Sequence, residues 1–578
     1  MHSDCEGFKT MEWKFFSNNP DSARELAEVL GLPPLVAQLL LHRGLEQAES
    51  AQTFLNPTLS GLSSPTLMKD MDRAVARIIQ AIQKQEKIAI YGDYDADGLT
   101  ATAVLVTFLQ PFFPEILYYI PHRTREGYGL NQESLSRLRE QGATLVITVD
   151  CGSSNHEEIE WAKGRGLEVL VTDHHQVGRQ GVPRAAAVIN PKQEGCRFPF
   201  KELAGVGVAF NLVIALRQAL DAGGFFRGPK PNLRSYLDLV VLGTVADMVP
   251  LTGDNRIYAA DGLRVLSDST REGILALKAV SGIQPSARIS AVDVAFRLAP
   301  RLNALGRLTE AKEGIELLIT GERERARLLA ETMDQENRRR QEIEQQLLKE
   351  IEEMISADPG LYQRKCLVLS SEKWPRGILG LIASRLVERW FRPVFLFALE
   401  DGLAQGSGRS IGGFHLFKAL EELAPRLLRF GGHAAAAGAA LKAEDLPFFE
   451  QALEALVEKT LPPESFIPSL QVEAEVDFSL LGKSLVPYLP RLAPFGQGNP
   501  DPILVTRQVR VKTLRPVGNG HLRMTLENKG ITLGAFGFNL GELPLAPGDV
   551  LDLAYSVELD SRGGSSFLKL KIKDLHLL

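Results

Sequence analysis

The chain has 578 residues, 44% of them hydrophobic and 24% charged, and a formal net charge of -6. A chain of that order holds about three or four domains, and the ordinary composition, free of low-complexity tracts, excludes a disordered or fibrous protein. The mildly acidic balance excludes bulk charge attraction as a route to nucleic acid, while leaving a local basic groove open.

Residues 1 to about 65 read as short helices with polar joints and carry no evident chemistry. The first residues lack the basic-then-apolar pattern of a leader, and no stretch approaches the roughly 20 apolar residues that span a bilayer. Cys5, Cys151, Cys196 and Cys366 lie far apart with no Cys-x-x-Cys pair, so neither a zinc ribbon nor a disulfide framework is indicated. A cytoplasmic protein without membrane attachment is expected.

From about residue 66, strand-like and helical patterns alternate, which predicts a doubly wound parallel-sheet α/β domain over 66–320. Its centre is Tyr91-Gly92-Asp93-Tyr94-Asp95-Ala96-Asp97-Gly98, between an apolar run at 87–90 and a helical pattern from Leu99. Three carboxylates at alternate positions of an extended segment point to one side, and clustered acids need a compensating cation. A calcium EF-hand loop opens alike but needs Glu at its twelfth position, which here is Val104. A solvated acidic turn is the plain alternative.

Further strands at 117–120, 145–149 and 169–172 lead respectively into 121–129, Asp150-Cys151-Gly152 and Asp173-His174-His175. Parallel strands that end in such groups bring them to one sheet edge, the arrangement a two-metal centre requires. Neighbouring residues at a strand end point opposite ways, so His174 is expected to ligate and His175 to orient the scissile group or support a ligand.

Helical patterns at about 203–221 and 234–246 follow, the second ending in Asp247 after a nearly all-apolar run. A buried Asp there calls for a cation or an arginine. Gly205-Val206-Gly207 faintly resembles a dinucleotide loop but lacks the third glycine and a preceding strand. Residues 299–308 place Arg301, Asn303 and Arg307 around a glycine bend; arginine forks suit phosphate oxygens, although a structural loop has the same composition. Residues 322–357 contain neither Gly nor Pro and would span about 54 Å as one connecting helix (321–358), a spacer with Arg338-Arg339-Arg340 on a solvated face. A second α/β pattern occupies 359–460 and carries Gly406-Ser407-Gly408-Arg409-Ser410 and a glycine-rich run at 430–438, where backbone N–H groups can approach an anion. Short strands over 461–578 predict an OB-like barrel, a platform for single-stranded nucleic acid.

Taken in order, Gly92 to Gly98, Val149-Asp150-Cys151-Gly152, Thr172-Asp173-His174-His175, Gly243-Thr244-Val245-Ala246-Asp247 and Arg301 to Arg307 resemble the DHH phosphoesterase superfamily. Within it they resemble the RecJ-type branch of single-strand-specific 5′→3′ exonucleases, and the likeness covers nearly everything from about residue 66. The glycine-rich elements at 406–410 and 430–438 are similar to the DHH-associated domain. The resemblance implies two divalent cations, Mn2+ or Mg2+, held by Asp95, Asp97, Asp150, His174 and Asp247, with Asp93 in the cluster. It implies Asp97, Asp150 and His175 as catalytic, and Arg123, Arg301, Asn303, Arg307, Ser407, Arg409, Gly432 and His433 as substrate-binding. It further implies single-stranded DNA as substrate, a single-strand-binding protein and a RecQ-type helicase as partners, and a monomer. One departure stands out: the superfamily usually carries His after the aromatic residue at Trp374, where this chain has Pro375, which is given no role. The competing readings are a small-substrate DHH phosphodiesterase, which needs no long helix or barrel, and a catalytically silent replication scaffold, which need not keep every acid.

Overall fold

In the computed structural model, residues 11–122, 126–308, 312–358, 360–518, 520–541, 543–562 and 565–578 are described. The N-terminal stretch forms β1 (Glu12–Phe15), α1 (Pro20–Leu30), α2 (Pro34–Leu41) and α3 (Ala48–Leu55). The catalytic sheet follows: β2 (Ile88–Tyr91), β3 (Leu117–Tyr119), β4 (Leu145–Val149), β5 (Glu168–Thr172) and β6 (Ala187–Ile189), all parallel in the order β3-β2-β4-β5-β6. Every residue of β2 and β4 is buried. Strands covered on both faces read as continuous apolar runs, which is how they appear in the sequence. The chain passes from β2 to β3 on one side and then to β4 on the other. At such a reversal, ligands bind in the crevice beyond the carboxyl ends of the strands. The acid-bearing turns after Tyr91 and Val149 open into that crevice.

Three apolar helices, α4 (Ala96–Leu109), α5 (Gly205–Ala222) and α6 (Leu237–Ala246), pack together in the core of this domain. By length and composition α5 could cross a membrane, contrary to the expectation that no stretch comes close, but it is 67% buried against its neighbours. Residues 299–308 are not a glycine bend. They form α7 (Ala299–Leu308), because Ala, Leu and Arg are good helix formers, and the π-helical turn at Val294–Leu298 that runs directly into it marks the irregularity next to Pro300. The connecting helix α8 (Arg323–Ala357) has 35 residues and is about 52 Å long. Arg338 and Arg339 are solvated on it as expected, whereas Arg340 is 13% exposed and lies 3.7 Å from Glu344.

Beyond α8, a mixed sheet of order β10-β11-β9-β8-β7 combines β7 (Leu367–Ser371), β8 (Val394–Glu400), β9 (Leu403–Arg409), β10 (Arg429–Gly432) and β11 (Ala436–Lys442) with α9 (Leu379–Trp390). After β12 (Ser469–Val472) and β13 (Ala474–Glu475), the barrel strands are β14 (Leu504–Val517), β15 (His521–Asn528), β16 (Ile531–Gly537), β17 (Val550–Arg562) and β18 (Ser565–Leu577). The run β14-β15-β16-β18-β17 returns to β14, closing a five-stranded OB-like barrel.

The N-terminal stretch is part of that last body. β1 pairs in parallel with β12, and α1 to α3 share one apolar core with the barrel.

Candidate metal centre

The chain enters the site through a helix cap. Asp95 is the N-cap of α4, its Oδ1 accepting the N–H of Asp97 (3.0 Å) and of Gly98 (3.1 Å). Asp97 therefore sits in the first helical turn, not at the third step of an extended segment, because a capping Asp favours helix entry over continued strand. The Asp97 carboxylate accepts the N–H of Gly205 (2.6 Å) and Val206 (2.9 Å) at the start of α5, where a helix N-terminus favours negative charge. Two glycines permit this closeness. A Cβ on Gly205 would stand 2.7 Å from the Asp150 side chain, and one on Gly243, a turn before Asp247, 2.2 Å from Thr100 Oγ1 and 2.8 Å from Asp97 Oδ1.

Asp150 follows β4 with φ +60°, a left-handed conformation that Asp tolerates better than most residues and that is common at functional sites. Beyond β5, the buried Asp173 carboxylate accepts the N–H of Ser153 (2.9 Å), His174 (2.7 Å) and His175 (3.1 Å). That turn ends the strand alternation, so the two histidines do not point opposite ways. Their ring centroids are 4.5 Å apart and both approach Asp150. His174 Nε2 lies 3.0 Å from Asp150 Oδ1, 3.6 Å from Asp247 Oδ2 and 3.9 Å from Asp97 Oδ2. His175 Nδ1 lies 2.8 Å from Asp173 Oδ1 and 3.8 Å from Asp150 Oδ1. The result is three interlocking groups: Asp93, Asp95 and Asp150; Asp97, His174 and Asp247; Asp150, His174 and His175.

Burial and mutual repulsion set the charges. Burial, reinforced by Asp95, lifts the Asp97 carboxyl to about 7, and burial with Asp97 lifts Asp247 to about 9. Asp150 is pushed well up by burial and by the carboxylates around it. Burial lowers His174 to about 3, leaving a neutral imidazole able to ligate. Asp150 Oδ1, Asp247 Oδ2 and His174 Nε2 are buried without a hydrogen-bond partner. Oxygen donors joined by one imidazole, all unsatisfied in a common pocket, fit divalent cations.

A pH effect follows. Around neutrality the metal-free fold holds protons on Asp97 and Asp247 that the unfolded chain has already released. Stability then falls as pH rises through about 7 and about 9. Chelator-treated protein is expected to lose melting temperature across that window, and added Mn2+ to restore it with release of protons. A metal-free melting temperature flat across the window would contradict the cluster's charge state.

The substrate-binding expectations divide. Asn303 Oδ1 accepts the Ala96 N–H at 2.7 Å, so it steadies the acidic turn. Arg301 donates to Asp334 on α8 (2.9 Å) and to the carbonyls of Arg297 and Val280, contacts that match the structural alternative its composition left open. Arg123 lies outside the described residues, as does the side chain of Arg307. Ser407 and Arg409 share one face of β9, with Arg409 Nη1 donating to Ser407 Oγ at 3.1 Å. Gly432 (φ +137°) ends β10, and His433 N–H donates to the Ala436 carbonyl at 2.8 Å. These four belong to the second sheet, whose leading turn Arg376–Ile378 packs against α7.

Two residues at the site were not assigned from sequence. The Tyr128 hydroxyl stands 3.0 Å from His175 Nδ1 and donates to the Asp150 carbonyl at 3.1 Å, and Asp173 shapes the histidine turn. Tyr128 had a local signal: the glycines on either side, Gly127 and Gly129, both adopt positive φ.

Family profiles match three segments: the N-terminal domain of the DHH family at 87–244, the DHHA1 domain at 363–459 and the RecJ OB domain at 472–574. The single-stranded-DNA-specific exonuclease RecJ of Bacillus subtilis is 39% identical over 98% of this chain and 70% of its own length. The chain belongs to the RecJ family. The Escherichia coli RecJ is 36% identical over 94% of this chain and 96% of its own. The crystal structure of Thermus thermophilus RecJ with Mn2+ superposes with a TM-score of 0.82 at 31% identity, covering 98% of this chain and 79% of that one. A second structure of the Thermus protein holds Mg2+, with a TM-score of 0.75 at 30% identity, covering 98% and 78%. As in the RecJ family, DHH domain, connecting helix, DHHA1 sheet and OB barrel occur in that order.

Proposed function

We propose that the chain hydrolyses single-stranded DNA from its 5′ end to mononucleotides, in the cytoplasm, during repair and recombination. The supporting observation is the meeting of six predicted ligands in adjoining groups linked through Asp150 and His174, within a RecJ-family chain. Two divalent cations, Mn2+ or Mg2+, would be held there, one by Asp93, Asp95 and Asp150, the other by Asp97, His174 and Asp247. When bound, they neutralise phosphodiester charge and make a water more acidic. The imidazole in the set favours Mn2+.

The chain's own groups do the positioning. Burial is the largest influence and lowers the His175 pKa, but the Asp173 hydrogen bond together with the charges of Asp173, Asp93 and Asp95 outweighs it, for a net upward shift. With Nδ1 held by Asp173 and Tyr128, its Nε2 is the nitrogen left to donate to the scissile phosphate. Arg301 and Asn303 act by holding α7 and the acidic turn in place. Ser407, Arg409, Gly432 and His433, together with Arg123 and Arg307, receive the terminal phosphate. On the barrel, His521, Phe536 and Phe538 cluster, with Lys569 4.9 Å over Phe536 and Lys571 5.5 Å over Phe538. Such an aromatic-basic patch suits stacked bases and their backbone. A helicase supplying single strands and a single-strand-binding protein are the partners this reading implies, for a monomer.

The test is digestion of 5′-labelled, 3′-labelled and duplex oligonucleotides with and without Mn2+. Labelled mononucleotide is expected first from the 5′ end, with duplex spared and chelator halting release; initial release from the 3′ end would overturn the polarity. Arg409→Ala is expected to lower kcat/KM about tenfold on 5′-phosphorylated ends, one charge-assisted contact, and far less on 5′-hydroxyl ends. Equal loss on both would remove its terminal-phosphate role.

A further inference from the structure

The second sheet opens a cleft of about 330 Å³ lined by Ser407 and also by Arg376, Gln405 and Arg429, three residues to which the terminal-phosphate reading gives no role. Alternation along β9 puts Gln405, Ser407 and Arg409 on one face, about 6.6 Å apart per two-residue step. Gln405 Oε1 accepts a hydrogen bond from Arg376 Nη1 and another from Arg429 Nη2, both at 3.0 Å. One neutral amide thus holds two guanidinium groups side by side. Like charges at that separation repel unless something anionic lies between or beside them. Arg376 has Glu400 at the outer rim. Arg429 is exposed and, among the described residues, has no carboxylate within ion-pair distance.

The cleft floor suits a ligand that comes close. Gly438 lies opposite Ser407 across the β9–β11 pairing, and Gly431 lies opposite Gly438 on β10. A Cβ on Gly431 would meet nothing within 4 Å, so bare backbone faces open space there. Paired cations over a glycine floor match phosphate oxygens.

We propose that Arg376, Gln405 and Arg429 form a second phosphate-binding subsite, one step along β9 from Ser407 and Arg409. It rests on the reading that Ser407 and Arg409 take a phosphate of the DNA. The phosphate has two possible sources: the strand beyond its terminal nucleotide, or the released 5′-mononucleotide. Gln405 fixes the spacing of the two forks and contributes no charge, so it is a positioning residue.

The test uses the full chain with Mn2+, as wild type, Arg429→Ala, Arg429→Lys and Gln405→Leu. If the strand occupies the subsite, Arg429→Ala raises KM about tenfold for a 5′-phosphorylated dodecanucleotide but not for a dinucleotide, with kcat unchanged. The dependence of log(kcat/KM) on log salt also becomes shallower by about 0.7, one single-strand phosphate contact. If the product occupies it, the inhibition constant of 5′-mononucleotide rises about tenfold and KM is equal on both lengths. Arg429→Lys recovers part of either effect, since charge remains but the fork is lost, and Gln405→Leu reproduces either effect at smaller size. A variant with wild-type KM, salt slope and product inhibition overturns the subsite; so does loss of kcat shared by both lengths. Failure of the terminal-phosphate reading is separable, because it appears as Arg409→Ala affecting phosphate and hydroxyl ends alike.

Discussion

Asp150→Ala and His174→Ala are each expected to lower hydrolysis of single-stranded DNA by more than about a thousandfold at saturating Mn2+, while the fold persists. Asp150 is shared by two of the three ligand groups, and His174 also belongs to two, so either loss damages the cluster at its centre. The fold survives because neither side chain holds the core together. Asp150 is pushed well above the usual carboxylate range by burial and by four surrounding acids, so without metal it opposes folding. Metal-free Asp150→Asn should therefore melt at higher temperature than metal-free wild type, while its stabilisation by Mn2+ shrinks. Activity and stability then move in opposite directions, which a merely misfolded variant cannot imitate. Near wild-type turnover by Asp150→Ala, or a metal-free Asp150→Asn that melts lower, would sink the assignment.

The legible parts of this site share one physical trait: they are fixed by neighbours in sequence. The acidic turn could be read because its residues lie between a strand and a helix, and Asp247 because an acid after an apolar run needs a partner. What local reasoning missed depended on side chains bonding to backbone. It missed the turn made by Asp173, which swings both histidines into one pocket. It also treated Gly205 as a weak dinucleotide signal, although that glycine makes room for Asp150 and its N–H binds Asp97. Arginine at 301 suggested phosphate because composition alone cannot reveal Asp334 on a helix that follows much later. The union of β1 with β12 lay further out of reach, since a short strand pairing across most of the chain leaves no periodic trace in either segment.

That union underlies the second large effect, Arg256→Ala. Arg256 follows the site-bearing helix α6 and its loop, yet its side chain leaves the catalytic domain. Nε donates to the Phe54 carbonyl at 2.9 Å, and Nη2 donates to the carbonyls of Arg491 (2.8 Å) and Ala493 (2.9 Å), while the guanidinium stacks 3.6 Å over the Phe54 ring. The residue is 2% exposed, and burial lowers its pKa to about 9, with Arg43 adding to the effect. Nearby, the Leu251 N–H donates to the Gln497 carbonyl at 2.7 Å, in the loop that begins at Asp247. One cation therefore ties the N-terminal helices and the approach to the barrel onto the catalytic domain. Truncation leaves one buried and two partly buried carbonyls short of a donor and removes a buried side chain, a loss of about 3 kcal/mol. Lysine cannot reach all three, so Arg256→Lys should recover only part. The expected result is an early unfolding transition for the terminal body, with KM for long strands raised several-fold and dinucleotide hydrolysis and Mn2+ binding nearly intact. The metal ligands stand on the parallel sheet and its own helices, whereas a long strand also needs the barrel held at a fixed distance from them. If Arg256→Ala instead melts like wild type, or loses dinucleotide and long-strand activity in equal measure, the barrel's placement does not depend on this contact.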